Sequence, residues 1–245
     1  MQALQKLTKT LLGARRFLRV QWSGVGMVAG SGKIGGHVVA VNKGGAYVRT
    51  KRKPTNPRST SQVNQRNNNT GNAQAWRGLT AAQRTGWANY AAATAKKNHF
   101  GETRYSSGFQ AFVQANNTLL AIGVATITAA PVPVAVTPIT SLSIVADHVT
   151  AHLTLTYAPA VPAGYHYIMR ATPQYSAGKT FVKQQFRQCG TLVTANASPY
   201  ESSGKYTTVF PPIANVGQKV SVQLIPVVDA TGQRGLPVQA TVVVT

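Results

Sequence analysis

Acidic residues are almost missing from this chain. Four Asp and Glu stand against 25 Lys and Arg in 245 residues, a net charge of +21. Ordinary domains carry about 25% charged residues of mixed sign; here the charged fraction is 12% and nearly all of one sign. Four carboxylates leave little for general acid–base chemistry, which needs a positioned proton acceptor. No G-x-S-x-G, no H-E-x-x-H and no Cys/His nucleophile pattern occurs, so the sequence points to no enzyme and no cofactor. Cysteine is represented by Cys189 alone. One cysteine excludes an intrachain disulfide and a cysteine-based zinc cluster, and it reads as a small buried apolar residue. His148 and His152 lack a third convergent ligand and read as a solvated strand face beside Asp147, so no metal site is expected. Long apolar runs are also missing. No stretch of about 18 apolar residues is available to cross a membrane. The opening M-Q-A-L-Q-K-L-T-K-T-L-L-G-A-R-R is too broken by Lys and Arg for a secretory signal.

What the chain has in excess is unpartnered positive charge, unevenly placed. Residues 1–140 hold 18 Lys and Arg against Glu102 alone, a net of +17, while residues 141–245 hold 7 against Asp147, Glu201 and Asp229, a net of +4. A chain that repels itself this strongly gains from a polyanion. Nucleic acid is the first candidate, an anionic membrane surface the second and an acidic polysaccharide the third. The asymmetry predicts a polyanion-binding part followed by a part with another task.

The densest charge lies in Lys43–Arg66, which holds Lys43, Arg49, Lys51, Arg52, Lys53, Arg58 and Arg66 and no carboxylate. Pro54 and Pro57 favour extended backbone just after the peak of charge. A polar run comes next, with Gln62 and Asn64 to Asn69, whose side chains suit phosphates, 2′-hydroxyls and base edges. The candidate nucleic-acid-binding residues are these seven cations with Lys33, Gln62, Arg77, Arg84, Lys96, Lys97 and Arg104. Upstream, Leu4, Leu7, Leu11 and Leu18 fall on one face of an amphipathic helix over 3–19. That face is read as an assembly contact, with a nucleic-acid arm and a membrane-surface helix as the competing readings.

Residues 20–50 read as short strands punctuated by glycine, at Val20–Trp22, Val25–Ala29, His37–Val41 and Ala46–Arg49. Gly30-Ser-Gly32-Lys-Ile-Gly35 fits G-x-G-x-x-G, but a strand succeeds it and no acid sits about 20 residues on, so a hairpin turn is expected instead of a dinucleotide loop. Asn56 with Pro57 starts a polar helix running to about Asn69. Thr80-Ala-Ala-Gln83 is a capping box for a helix to about Lys97, and Ser107-Gly-Phe-Gln110 is a second one. Trp87 and Tyr90 at helical spacing beside alanines read mainly as core. Residues 124–140 carry three prolines and no charge, an extended linker merging into a first strand.

From Ser141 the texture is all-β. His148–Tyr157 alternates apolar and polar residues. Tyr165–Ala171, Lys179–Gln188, Lys205–Phe210, Lys219–Val228 and Pro237–Thr245 are the further expected strands. About seven strands over this length is the count of an immunoglobulin-like sandwich, and the order most resembles a fibronectin type III domain. The expected fold class is therefore an α+β N-terminal module of short glycine-rich strands and helices, followed by an all-β immunoglobulin-like or fibronectin type III sandwich. The expected divisions are 1–125, a Pro-rich linker or first strand at 126–140, and 141–245.

Several motifs of the first half occur in a specific order: Gly30-Ser-Gly-Lys-Ile-Gly35, Tyr47-Val-Arg49, Lys53-Pro-Thr-Asn-Pro-Arg58 with Gln62, Trp76-x-x-Leu79-Thr80-x-x-Gln83-Arg84-x-x-Trp87-x-x-Tyr90, and Ser107-Gly108-Phe109-x-x-Phe112. With them, residues 30–120 resemble an uncharacterised family of bacterial and phage-associated proteins. The resemblance implies a structural and not an enzymatic group, and carries no known activity.

Together these readings predict a structural nucleic-acid-binding protein that assembles into a nucleoprotein filament or virion-like particle. It is expected to be a homo-oligomer found in a virion or an extracellular filament. RNA or single-stranded DNA is favoured over duplex, since flexible arms with nearby aromatics suit unstacked bases. The alternative is a phage decoration or bacterial surface protein anchored by its basic half to an acidic shell or polymer. Removing residues 1–19 is expected to weaken assembly, read by light scattering, more than nucleic-acid binding. Equal loss of both would make the segment a binding arm.

Overall fold

The computed structural model describes residues 32–42, 45–53, 55–56, 58–97 and 103–245. The helix expected over 3–19 with Leu4, Leu7, Leu11 and Leu18, the strands expected at 20–22 and 25–29, and Lys43 lie outside the described residues. The chain divides into two compact units between Ser59 and Thr60.

The first unit contains an antiparallel meander of β1 (Gly32–Ile34), β2 (His37–Asn42) and β3 (Gly45–Thr50). Gly35, with φ +52°, supplies the left-handed residue of the two-residue turn between β1 and β2, a conformation open to glycine without steric penalty. The described part of the G-x-G-x-x-G segment, Gly32–Gly35, thus lies in a hairpin, as its flanking strand pattern predicts. Cross-strand register places Lys33, Val38 and Arg49 in one row. Paired residues share a sheet face, and i and i+2 do too, so Tyr47 joins Lys33 and Arg49 on that face.

The second unit begins with three helices, α1 (Thr60–Gly78), α2 (Ala81–Ala93) and α3 (Gly108–Ile122). The α1 helix starts later than Asn56-Pro57 predicts, because Arg58 is left-handed at φ 47°. It also runs nine residues past Asn69. Its docking explains the extension. Asn72 is buried and donates to Asn117 Oδ1 (2.9 Å), and Asn117 donates to Asn69 Oδ1 (2.7 Å). A helix with almost no apolar stripe is therefore held to α3 by amides, with Trp76 packed on Phe109 and Phe112.

Both capping boxes form, at Thr80/Gln83 and Ser107/Gln110. The α2 helix stops at Ala93, short of Lys97, and Lys96–Lys97 (β4) pairs with Thr103–Arg104 (β5). Trp87 and Phe112 are buried, in edge-to-face contact at 5.3 Å. Gly108 allows the crossing of α2 and α3: a Cβ there would meet the Ala88 backbone nitrogen at 2.9 Å.

Residues 124–140 form neither helix nor strand, yet they are not loose. Buried Asn116 grips Ile127 through both its amide atoms, accepting from Ile127 N (2.8 Å) and donating to Ile127 O (3.0 Å). Trp87 Nε1 donates to the Thr128 carbonyl, Gln233 accepts from Val134 N, and Ile139 is buried.

Seven strands complete the unit. They are β6 (Ser141–Asp147), β7 (His152–Ala158), β8 (Tyr165–Ala171), β9 (Arg187–Leu192), β10 (Tyr200–Glu201), β11 (Lys219–Val228) and β12 (Val238–Val243). They form a three-stranded sheet, β10-β7-β6, and a four-stranded sheet, β12-β11-β8-β9. The two share one core, with Leu153, Leu155 and Tyr157 from one sheet and Tyr167, Met169, Val222 and Leu224 from the other.

Three expected strands change. His148–Tyr157 is divided by a turn in which Asp147 accepts from Val149 N and Thr150 Oγ1, so the strand starts at His152. Lys179–Gln188 is mostly loop with a 3₁₀ turn at Lys183–Gln185. Lys205–Phe210 is instead the short helix α4 (Ser203–Thr207) and a turn that ends it. The last two share a cause. Val182 and Phe186, like Tyr206 and Phe210, are four residues apart and close on one another or on one cluster, a helical spacing that suits a turn of helix better than a strand.

The four-stranded sheet is covered on its outer face as well. Ile168, Ile225 and Val227 pack against Leu119 and Ile122 of α3. Gln188 Nε2 donates to the Ala121 carbonyl in the last turn of α3. Helices and sheets thus belong to one compact unit, residues 60–245. A 141–245 fragment is expected to unfold at lower temperature than a 60–245 fragment. It uncovers three aliphatic side chains worth about 1.5–3 kcal/mol each, and apolar-dye binding should report them. Equal melting temperatures would show that the helices add nothing to the sheet.

Candidate nucleic-acid interface

The first unit presents a basic strand end. Lys33, Arg49, Lys51, Arg52, Lys53 and Arg58 are all exposed. Lys51 N donates to the Gly36 carbonyl at 2.7 Å, which carries the hairpin pairing one residue beyond β3. The strand alternation then sends Arg49 and Lys51 to the face of Lys33 and Tyr47, and Arg52 to the other side. Tyr47 is 40% exposed. The face therefore offers three cations around one accessible ring, donors for phosphate oxygens beside a surface on which a base can stack. None of these six cations is held by a carboxylate among the described residues, and no Asp or Glu precedes Glu102 in the chain.

The candidates of the second unit have more varied surroundings. Gln62, Arg66 and Arg77 are exposed on α1. Arg84 donates from Nη2 to the Arg77 carbonyl at 2.8 Å, so part of its guanidinium satisfies the C-terminal turn of α1, where a cation is favourable. Asn69, read as a phosphate or base contact, is committed to Asn117. Lys96 and Lys97 lie on β4, with Lys96 opposite Arg104. Trp87 and Phe112 are fully enclosed and unavailable for stacking. Arg104 lines a pocket that also contains Arg234. Arg234 is not among the sequence candidates, because the α3 side chain it touches is 116 residues away.

His166 Nδ1 lies 2.6 Å from Asp229 Oδ1. Burial pushes the Cys189 thiol up to about 11, which makes it a poor nucleophile. His148 Nδ1 is 2.8 Å from the Thr245 carbonyl, and no group of three potential metal ligands converges among the described residues. No described helix is long and apolar enough to cross a membrane.

Residues 29–119 are similar to a family of unknown function (DUF6266). The match spans β1 to most of α3 and names no activity. No curated protein and no solved structure matches the chain. Within the matched stretch, the motif residues Leu79, Trp87, Tyr90 and Phe112 are core, and Ser107 and Gly108 set the start of α3. Packing accounts for them. It does not account for Tyr47, Arg49, Lys53, Arg58 and Gln62, which are exposed.

Changing Arg49, Lys51, Arg52, Lys53 and Arg58 together to Gln is expected to lower the slope of log K against log salt on single strands by about 3.5, at roughly 0.7 per phosphate contact. The loss should be alike for unrelated sequences, since backbone contacts position without specifying. A change below about one unit would assign the segment to solvent.

Proposed function

We propose that this chain is a structural protein that binds the phosphate backbone of nucleic acid without sequence specificity and self-assembles into a nucleoprotein filament or virion-like particle. The observation that carries the reading is the exposed cationic run of Arg49, Lys51, Arg52, Lys53 and Arg58, in a half-chain with no neutralising carboxylate before Glu102. A net of +17 in residues 1–140 exceeds what reading one short site requires. It suits the packing of many phosphates per subunit, driven by counterion release. The Tyr47 ring beside Lys33 and Arg49 favours RNA or single-stranded DNA over duplex, because a stacked base is not free to lie on it.

For the β-rich region we propose a fibronectin type III-like sandwich. An immunoglobulin constant domain sets four strands against three. Here the fourth strand, β9, pairs with the third, β8, leaving three strands facing four. In the proposed particle this region faces outward, since its net charge is only +4.

The test is the ultraviolet spectrum of natively purified particles before and after nuclease. A nucleic-acid spectrum that nuclease removes, with loss of the particles, is the expected result. A protein spectrum unaffected by nuclease, together with binding to an acidic polysaccharide or shell, would replace this reading by that of a decoration or surface protein.

A further inference from the structure

The turn joining β11 to β12 is pressed against α3. Gly232, at φ +66°, is there because a Cβ would come within 2.6 Å of the Ala115 carbonyl oxygen. This close approach brings Arg234 to α3, where its Nε donates to Thr118 Oγ1 at 3.0 Å. Thr118 is buried, and its hydroxyl donates onward to the Gln114 carbonyl, so the arginine is fixed at a satisfied acceptor. Its two Nη amines have no hydrogen-bond acceptor among the described residues. Its pKa is lowered, by partial burial first and by the like charge of Arg170 second, while the side chain keeps an exposed surface.

Arg104 lines the same pocket, a cavity of about 190 Å³ to which Tyr90, Thr94, Ser106 and Gln114 also contribute. The three described carboxylates are engaged elsewhere, Asp147 with Val149 and Thr150, Asp229 with His166, and Glu201 with Ser203. None lines this pocket. Two guanidinium groups with hydroxyl and amide donors around one concavity, and no carboxylate on its wall among the described residues, match the needs of a tetrahedral oxyanion. Arginine forks bind such groups with two parallel hydrogen bonds.

We propose that the pocket between α2, α3 and the β11–β12 turn binds a phosphate-class oxyanion through Arg104 and Arg234. The ligand is free phosphate or the terminal phosphate of a nucleic-acid strand. The site uses none of Arg49–Arg58 and holds or fails independently of the proposed backbone binding.

The probe is inorganic phosphate, titrated calorimetrically into the full chain at constant ionic strength set with chloride. Saturable binding is expected, weakened about tenfold or more in R104Q and in R234Q, the scale of one lost charge-assisted hydrogen bond. R104Q is the safe variant for folding, since Arg104 is exposed, whereas R234Q also removes the tie to Thr118. Binding unchanged in both variants, or matched by chloride, overturns the proposal. So does binding that appears only in E102Q, which would make Glu102 the native counterion. Displacement of phosphate by a 5′-phosphorylated but not a 5′-hydroxyl oligonucleotide assigns the strand end as the source. Displacement by neither assigns free phosphate, and both outcomes support the site.

Discussion

The second unit depends on one helix being buried from two sides. Phe112 and Ala115 of α3 belong to the helical core, while Leu119 and Ile122, two turns on, belong to the outer face of the four-stranded sheet. A helix in this position cannot shift along its axis without breaking both cores. Its ends are fixed accordingly. Gly108 lets the first turn touch the α2 backbone, and Gln188 holds a carbonyl in the last turn. Gly232 and Asn116 then fasten the β11–β12 turn and the proline-containing segment to its middle. Most of what surrounds the Arg104 and Arg234 pocket is positioned by this helix.

The electrostatic character of the fold reflects how few carboxylates it has. Among the described residues no Lys or Arg pairs with a carboxylate, and the one contact of a basic side chain with an acid is His166 Nδ1 on Asp229 Oδ1. Elsewhere, neutral groups make the polar ties. Asn69, Asn117 and Asn72 link α1 to α3, and Tyr175, Ser221 and Thr241 form a hydroxyl chain across the sheet. Few of the described cations are therefore consumed in holding the structure together. Most of those described are exposed, where their mutual repulsion would be relieved by an outside anion.

Legibility in the sequence tracks the range of the interactions. The capping boxes and the glycine hairpin are readable because their partners lie within a few residues, as in Thr80 with Gln83. The strands β8, β11 and β12 are readable from their β-rich texture and the turns that bound them. Two segments mislead because their apolar residues, Val182 with Phe186 and Tyr206 with Phe210, sit four apart inside a region whose texture is β. The amide docking of α1 and the clamp of Asn116 on Ile127 leave no periodic signal, since each joins neutral polar groups distant in sequence or irregular in backbone. Of the candidate site, the cations of the first unit are visible as a run, whereas Arg234 becomes visible only once α3 is placed beside it.

Ties made by neutral groups also shape how the fold behaves in acid. Acid unfolding is mainly the protonation of carboxylates whose pKa the native state has lowered. Here Asp147 is lowered by the Thr150 hydroxyl and the Val149 N–H. Glu201 is lowered on balance: burial opposes its ionisation, but the Ser203 hydrogen bonds and the His152 charge prevail. Such groups stabilise the fold above their unfolded pKa and lose that contribution as pH falls through the folded value. With both carboxylates near the surface and so few others in the chain, little of the fold's stability is tied to that titration. Asparagine and glutamine amides and serine or threonine hydroxyls do not titrate in this range, so the ties that join α1, α3 and the sheet are not themselves lost by protonation as pH falls.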